Sequence, residues 1–167
     1  WPGYWTLVLA AVVGSVCSPQ AAGAECIDYG SSDGLHSVGA VDTPGEAVAV
    51  VVAGINAYVA DYYFGLQIID LSDPAAPVIE GSVDTPGQAY AVAVSGGYAY
   101  LADWGSGLQV IDVSDPAAPQ IVGTADTPAI ACGVAVSGTY AYVADWYAGL
   151  QVIDVSDPEH PQIVGFL

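Results

Sequence analysis

Acidic residues with aromatic neighbours recur along the chain, and they are the side chains best suited to chemistry. Asp61, Asp103 and Asp145 are each followed directly by a tyrosine or a tryptophan. Carboxylates accept hydrogen bonds or coordinate cations, and aromatic rings offer large apolar contact surfaces. An exposed surface of this kind suits a carbohydrate, a cationic peptide or Ca²⁺. The candidate ligand-binding residues are Asp61, Asp103, Asp145, Tyr62, Trp104, Trp146, Asp42, Asp84 and Asp126.

Two structural interpretations compete with this binding hypothesis. An Asp at the end of a strand often bonds the backbone of its own turn. Large aromatic side chains are mostly buried, and here they would pack between neighbouring units. The signal for Ca²⁺ is weak because no D-x-D-x-D spacing occurs. We therefore predict no cofactor and leave Ca²⁺ open.

The chain has few side chains that could act in catalysis. The chain has no Lys or Arg, so it lacks a Schiff-base amine and a guanidinium that could hold an anion. His36 and His160 lie in predicted turn or edge positions, and no nucleophile–base pair is suggested. We therefore predict that the protein is not an enzyme. The alternative is a carboxylate-based hydrolase acting on carbohydrate, since recurring carboxylates could act as a pair.

The charge balance disfavours two classes of partner. With 18 acidic residues and no Lys or Arg, the formal net charge is −18. Such a surface repels phosphate backbones and anionic lipids, so nucleic acid and polybasic-type membrane binding are both disfavoured. The same four Asp recur in every repeat, which favours turn chemistry as the origin of most of the charge. The other interpretation is a surface that attracts metal ions or cationic partners.

Residues 1–24 look like the end of a signal peptide whose true N-terminus is missing. An apolar stretch from about Trp5 to Val16 precedes Ala22-Gly23-Ala24, which is an A-x-A cleavage pattern. The alternative is a lipoprotein signal with Cys17 as the acylated residue. Either form places the mature chain outside the cytoplasm, with no transmembrane segment in it. We also expect that residues 1–24 do not pair into a sheet.

Two cysteines, Cys26 and Cys132, follow the predicted cleavage site. An oxidising compartment permits a disulfide between them, and isolated thiols are the alternative. No CxxC motif or Cys/His cluster indicates zinc.

Internal repetition is the strongest signal in the chain. VDTPG begins at Val41 and again at Val83, and ADTPA begins at Ala125, so the period is 42 residues both times. The run Ser72-Asp73-Pro74 returns twice in the same register. Agreement of this kind does not arise by chance, and it predicts three copies of one structural unit.

Each repeat divides into four apolar segments separated by turn residues. In the middle copy they are strand A (Ala89 to Val94), strand B (Tyr98 to Ala102), strand C (Leu108 to Val113) and strand D (Gln120 to Thr124). Short runs of β-formers split by Gly, Pro, Asp and Ser predict an antiparallel meander. Four strands in about 40 residues match one blade of a β-propeller.

The segment GLQVIDVSDPAAPQIVG, with AVSGGYAYLAD before it, resembles the LVIVD repeat and, more distantly, YVTN-type propeller repeats. The resemblance covers about residues 34–167. It implies a bacterial or archaeal extracellular propeller, often part of larger surface proteins. The family brings no established catalytic residues, so none are assigned from it.

The predicted fold is therefore all-β: three four-stranded antiparallel blades at 41–82, 83–124 and 125–167, plus one extra N-terminal outer strand in the lead-in 25–40. The extra strand runs from Leu35 to Ala40, where Gly39 aligns with Gly81. Propellers have about four to eight blades, so three should form an open arc. The simplest account is a chain cut at both ends, with further blades of the same chain beyond it. The alternative is a three-blade chain that dimerises into a ring.

An even number of strands places each turn type on a constant face of the arc. The D–A and B–C loops, which hold the candidate residues, should share one face, and the A–B and Ser-Asp-Pro turns the other. Variable loops on a fixed scaffold are where recognition usually lies. We therefore predict a secreted or cell-surface binding or adhesion scaffold whose partner is a protein or a carbohydrate.

Overall fold

The computed structural model describes residues 6–8 and 37–166, and its main body is three four-stranded antiparallel sheets, as predicted. Each sheet is one repeat and is called a blade. Blade 1 contains β3 (Ala47–Ala53), β4 (Asn56–Asp61), β5 (Leu66–Asp70) and β6 (Val78–Val83). Blade 2 contains β7 (Ala91–Ser95), β8 (Tyr98–Ala102), β9 (Leu108–Asp112) and β10 (Gln120–Ala125). Blade 3 contains β11 (Gly133–Ser137), β12 (Tyr140–Ala144), β13 (Leu150–Asp154) and β14 (Gln162–Phe166).

The strand limits in the middle repeat lie within two residues of those read from the sequence. The strands follow one another in sheet order as simple meanders, so Gly, Pro and Asp do end the strands as expected. One departure is a short 3₁₀ turn at Trp146–Ala148, which replaces the open B–C loop in blade 3. Within the described residues, no helix has both the length and the apolar character that a bilayer crossing requires.

A short additional sheet precedes the blades and corrects one expectation. Strand β1 (Thr6–Val8) pairs antiparallel with β2 (Ala40–Asp42), so the expectation that residues 1–24 do not pair into a sheet is wrong for these three. Thr6 and Val8 are β-forming residues, and an unpaired strand edge offers the segment backbone partners. The rest of the predicted signal sequence, Cys17 included, lies outside the described residues, and so does Cys26.

The hydrophobic core lies between successive blades. Tyr58, Leu66 and Ile68 of blade 1 pack against Leu101 and Ile111 of blade 2 in one buried cluster. A second cluster joins blades 2 and 3 in the same way. Among the described residues no buried cluster joins blade 1 to blade 3, so the three blades form an open arc of a β-propeller.

Hydrogen bonds between loops confirm that turn types alternate between two faces. The Leu71 N–H donates to the Ile55 carbonyl at 2.8 Å, joining the A–B turn to the start of the Ser-Asp-Pro turn. In the Ser-Asp-Pro turn of blade 2, Asp112 Oδ1 accepts from the Ser114 N–H at 2.9 Å, and Asp115 Oδ1 accepts from the Ala117 N–H at 3.2 Å. Much of the acidity therefore belongs to turn-forming Asp residues, which is the first of the two interpretations offered for the charge.

The outer strand before blade 1 reproduces part of the contact that strand D makes elsewhere. Gly39 lies against the Pro74 carbonyl of blade 1, as Gly81 lies against the Pro116 carbonyl of blade 2. The strand in this region is Ala40–Asp42, and it is paired to β1 rather than standing alone. Leu35 and His36 lie outside the described residues.

Candidate functional site

In each blade an Asp at the end of strand B or directly after it joins the D–A loop to the B–C loop. Its carboxylate accepts from a Thr hydroxyl and from a backbone N–H of the D–A loop. In blade 2, Thr85 Oγ1 donates to Asp103 Oδ1 at 2.7 Å and the Gly87 N–H donates to Oδ2 at 2.8 Å. The other two blades repeat this pair of bonds with Thr43 and Gly45 on Asp61, and with Thr127 and Ala129 on Asp145.

These three carboxylates are inaccessible. Asp61, Asp103 and Asp145 are each 0% exposed. Burial raises the pKa of Asp103 above its ordinary value, although the Thr85 and Gly87 hydrogen bonds oppose that rise. Each carboxylate bonds the D–A loop, 16 and 18 residues earlier in the chain, and not the backbone of its own turn as the Asx-type interpretation expected. The three Asp therefore hold the loops in place. Contact with a ligand is open to the aromatic residues beside them.

The residue after each buried Asp is aromatic and has a left-handed backbone. The φ angles of Tyr62, Trp104 and Trp146 are 27°, 49° and 38°. A large side chain rarely adopts this region, and such strain is often retained at functional positions. The loop around each is closed tightly; in blade 2 the Asp103 N–H donates to the Gly107 carbonyl at 2.8 Å.

In each blade a buried glutamine donates a hydrogen bond to the same B–C loop. Gln109, which is 1% exposed, donates through Nε2 to the Ser106 carbonyl at 2.7 Å. Gln67 and Gln151 make the equivalent bonds at 2.8 Å. The sequence interpretation missed these glutamines, although their recurrence at 42 residues was the available signal. Together with the Asp, they hold the aromatic side chains on a rigid support.

The aromatic side chains form one continuous row across all three blades. Tyr62 of blade 1 contacts Tyr90 of blade 2 at 5.3 Å between ring centroids, and Tyr90 stacks on Trp104 at 4.8 Å. Trp104 then contacts Trp146 of blade 3 at 6.1 Å. Neighbouring rings extend both ends of the row. We call Tyr63, Tyr62, Tyr90, Trp104, Trp146 and Tyr147 the aromatic row.

The aromatic row is partly buried by packing between its rings and partly exposed to solvent. Its central rings are half-buried against one another, whereas Tyr63, Trp146 and Tyr147 are 62%, 53% and 88% exposed. A hydrogen bond with Tyr90 and then burial raise the pKa of Tyr62. Both interpretations of the aromatics thus hold in part. Tyr90 itself was missed from the sequence because its position holds Val48 and Cys132 in the other repeats.

The second predicted set of carboxylates lies apart from the buried one. Asp42, Asp84 and Asp126 are exposed residues at the start of the D–A loops, on the face that carries the aromatic row. Asp42 has an interaction of its own. Among residues 6–8 and 37–166, no group of three or more His, Cys, Asp or Glu side chains is placed to hold a metal ion. The face therefore offers exposed acceptors beside apolar rings.

Two further side chains singled out in the sequence make local contacts only. Cys132 is a free, half-buried thiol that donates from Sγ to the Ala144 carbonyl at 3.3 Å. His160 Nδ1 lies 3.0 Å from Asp157 Oδ2, and both side chains are largely exposed.

Comparison with protein families identifies the repeat. The family model described as the LVIVD repeat matches three times, at residues 44–85, 86–127 and 128–166. These limits are offset by about three residues from those read from the VDTPG motif, because a cyclic repeat has no natural start. No curated protein matches the chain in sequence.

Solved structures support the fold alone. The chain is similar to the crystal structure of the computationally designed Ika4 protein, with a TM-score of 0.61 and 8% identity over 75% of this chain and 74% of that one. It is also similar to the computationally designed Ika8 protein, with a TM-score of 0.59 and 8% identity over 71% of this chain. The matched part covers 35% of the Ika8 chain.

Proposed function

The chain belongs to the LVIVD repeat family, and from this premise we propose that it is an extracellular, non-catalytic binding scaffold whose aromatic row binds neutral carbohydrate. The single observation that carries the proposal is the continuity of the row over three blades. Aromatic rings provide flat apolar contacts at low entropic cost. Exposed Asp84 and Asp126 supply hydrogen-bond acceptors for hydroxyl groups.

The negative charge of the chain favours a neutral polysaccharide over an anionic one. With no Lys or Arg and a net charge of −18, the protein repels a uronic acid, a sulfate or a phosphate. A neutral polymer avoids this repulsion. A cationic peptide is the second candidate, because the acidic residues around the row would attract it.

The alternative of a carboxylate-based hydrolase finds less support in the site. Paired glycosidase carboxylates must both reach the scissile bond. Asp61, Asp103 and Asp145 are buried and use both oxygens within the loops. The exposed Asp42, Asp84 and Asp126 stand at the starts of three different D–A loops. We propose that the protein binds the polysaccharide without cleaving it.

Affinity electrophoresis in gels containing a neutral polysaccharide tests the proposal. Retardation of the chain is expected with a neutral polymer and should be absent with a polyuronate. Trp146→Ala should weaken binding about tenfold, equivalent to about 1.4 kcal/mol. Tyr140→Ala removes a comparably exposed aromatic side chain from the opposite end of blade 3 and should leave binding unchanged. Retardation only by a cationic peptide, or reducing ends released from the polymer, would contradict the proposal.

The extracellular location is part of the same proposal. It rests on the leader-like residues 1–24 and on the family resemblance, which also points to a bacterial or archaeal source. Expression of the full coding sequence followed by cell fractionation tests it. We expect the protein in the medium or at the cell surface, and its retention in the cytoplasm would contradict this part.

A further inference from the structure

Blades 1 and 2 each bury one face of the sheet against the blade that follows. We call this the leading face of a blade, and the opposite face its trailing face. In blade 1 the leading face carries Tyr58 (6% exposed) and Leu66 (0%), and it is covered by Leu101 and Ile111 from the trailing face of blade 2. Blade 2 presents Tyr100, Leu108 and Val110 to blade 3 in the same manner. Two equivalent interfaces therefore define what covers a leading face.

The leading face of blade 3 has the same side chains and is uncovered. Tyr142, Leu150 and Val152 are half-buried, and Ala144 is exposed. The equivalent alanines of the other blades, Ala60 and Ala102, are 0% exposed. Blade 3 thus presents an apolar face that has the composition of an interface.

Two backbone contacts that mark an interface between blades are also missing at this face. The Ala89 N–H donates to the Tyr62 carbonyl at 2.8 Å, and the Ala131 N–H to the Trp104 carbonyl at 2.9 Å, which join consecutive blades. In the described part of the chain, the equivalent carbonyl of Trp146 accepts only from Gly149, at 3.4 Å.

Glycine in strand D gives the second missing contact. A Cβ atom at Gly81 or Gly123 would overlap the proline carbonyl of the next Ser-Asp-Pro turn, so only glycine fits there. A Cβ at Gly165 would meet nothing nearer than Val152 at 3.7 Å. Gly165 therefore occupies a position shaped for a following turn that the described residues do not supply.

The trailing face of blade 1 already holds a substitute for a preceding blade. Gly39 lies against the Pro74 carbonyl, and Val41 packs on the buried Val59 and Ile69. The sequence Val38-Gly39-Ala40 corresponds to Val164-Gly165-Phe166 of β14, so either segment can occupy this site.

We propose that two copies of this chain associate head to tail, with the leading face of blade 3 of each copy packed on the trailing face of blade 1 of the other. In this arrangement β14 replaces residues 38–41 of the second copy, and Gly165 lies against that copy's Pro74 carbonyl. The occupant is argued from continuity with the two internal interfaces, whose complementary residues blade 1 carries. Two copies form a closed two-fold ring of six blades, a number within the usual range of four to eight.

Sedimentation equilibrium of the full chain over a range of concentrations tests the proposal. We expect a dimer of twice the 16.9 kDa chain mass. Gly165→Val should raise the dimer dissociation constant at least about tenfold, since the added side chain meets the Pro74 carbonyl only in the dimer. At concentrations where both are monomeric, its circular dichroism and Tm should equal those of the unsubstituted chain.

Gly123→Val is the matched control, because the same change at the equivalent position overlaps the Pro158 carbonyl within one chain. It should lower Tm in the monomer, which Gly165→Val should not. A monomer at every soluble concentration overturns the proposal, and so does a dimer that Gly165→Val leaves equally tight. Open-ended assemblies larger than a dimer overturn the closed ring.

Discussion

The Thr85 hydroxyl donates a 2.7 Å hydrogen bond to Oδ1 of the buried Asp103, and this bond joins two loops that lie 18 residues apart in the chain. The Gly87 N–H occupies the other carboxylate oxygen. Because the same arrangement recurs in every blade, it keeps the D–A and B–C loops together on the face that carries the aromatic row.

Replacing the buried carboxylate should destabilise the protein. Asp103→Asn keeps the shape of the side chain but puts an amide N–H₂ where one of the two donors now bonds. We expect the free energy of unfolding to fall by about 1–3 kcal/mol, measured by urea denaturation. Asp84→Asn changes an exposed carboxylate on the same face and should have an effect within about 0.5 kcal/mol. Equal effects of the two variants would contradict the assigned role.

Two groups of Asp should give opposite dependences of stability on pH. Burial raises the folded-state pKa of Asp103 above 3.8, so between the unfolded and folded pKa values only the folded state holds the proton. The contribution of Asp103 therefore falls as pH rises through that interval. Hydrogen bonds from Ser114 lower the pKa of Asp112, so its contribution is complete above its unfolded pKa and is lost as pH falls through the folded one.

Urea denaturation between pH 2.5 and 7, roughly the interval over which carboxyl groups titrate, measures both contributions to stability. Each contribution is the difference in unfolding free energy between the unsubstituted chain and Asp103→Asn or Asp112→Asn. Asparagine does not titrate, so each difference reports the replaced carboxyl group. Slopes of the same sign for the two variants would show that the assigned causes of the pKa shifts are wrong.

The left-handed backbone at the aromatic positions should lower the stability of the fold. Trp146 has a φ of 38° and is 53% exposed, so Trp146→Gly removes strain and loses limited packing. We expect it to be neutral or to stabilise the fold by about 1 kcal/mol, as relief of a left-handed backbone would. Trp104→Gly also relieves strain but removes contacts with both Tyr90 and Trp146, so it should destabilise. Thermal unfolding compares the two; a larger loss for Trp146→Gly would contradict this account.

Equivalent leucines should differ in their contribution because one face is uncovered. Leu108 is 0% exposed between blades 2 and 3, so Leu108→Ala should cost about 2–5 kcal/mol. Leu150 occupies the same position in blade 3 and is half-buried. In the monomer, Leu150→Ala should cost clearly less. Denaturation at low protein concentration measures both, and equal costs would show that blade 3 is covered in a way the described residues do not reveal.

The sequence by itself determined the strands, their order and the face on which each loop lies. These depend on signals within one 42-residue unit: alternating β-formers, turn Asp, Gly and Pro, and an even number of strands. The position of the aromatic residues on a shared face followed from the same count. Local rules sufficed because each strand pairs with its neighbour in the chain.

Only the tertiary structure decided which candidate residues are accessible. Asp103 and Trp104 are adjacent in sequence, yet one is fully buried by a loop from the D–A turn and the other lies in a row of rings from three blades. Tyr90 has no counterpart in the other repeats, so its place in the row could not be read from the repeat. The pairing of Thr6–Val8 with Ala40–Asp42 was equally hidden. Burial and contact at these positions depend on packing between blades, which acts across sequence distances that a repeat pattern does not encode.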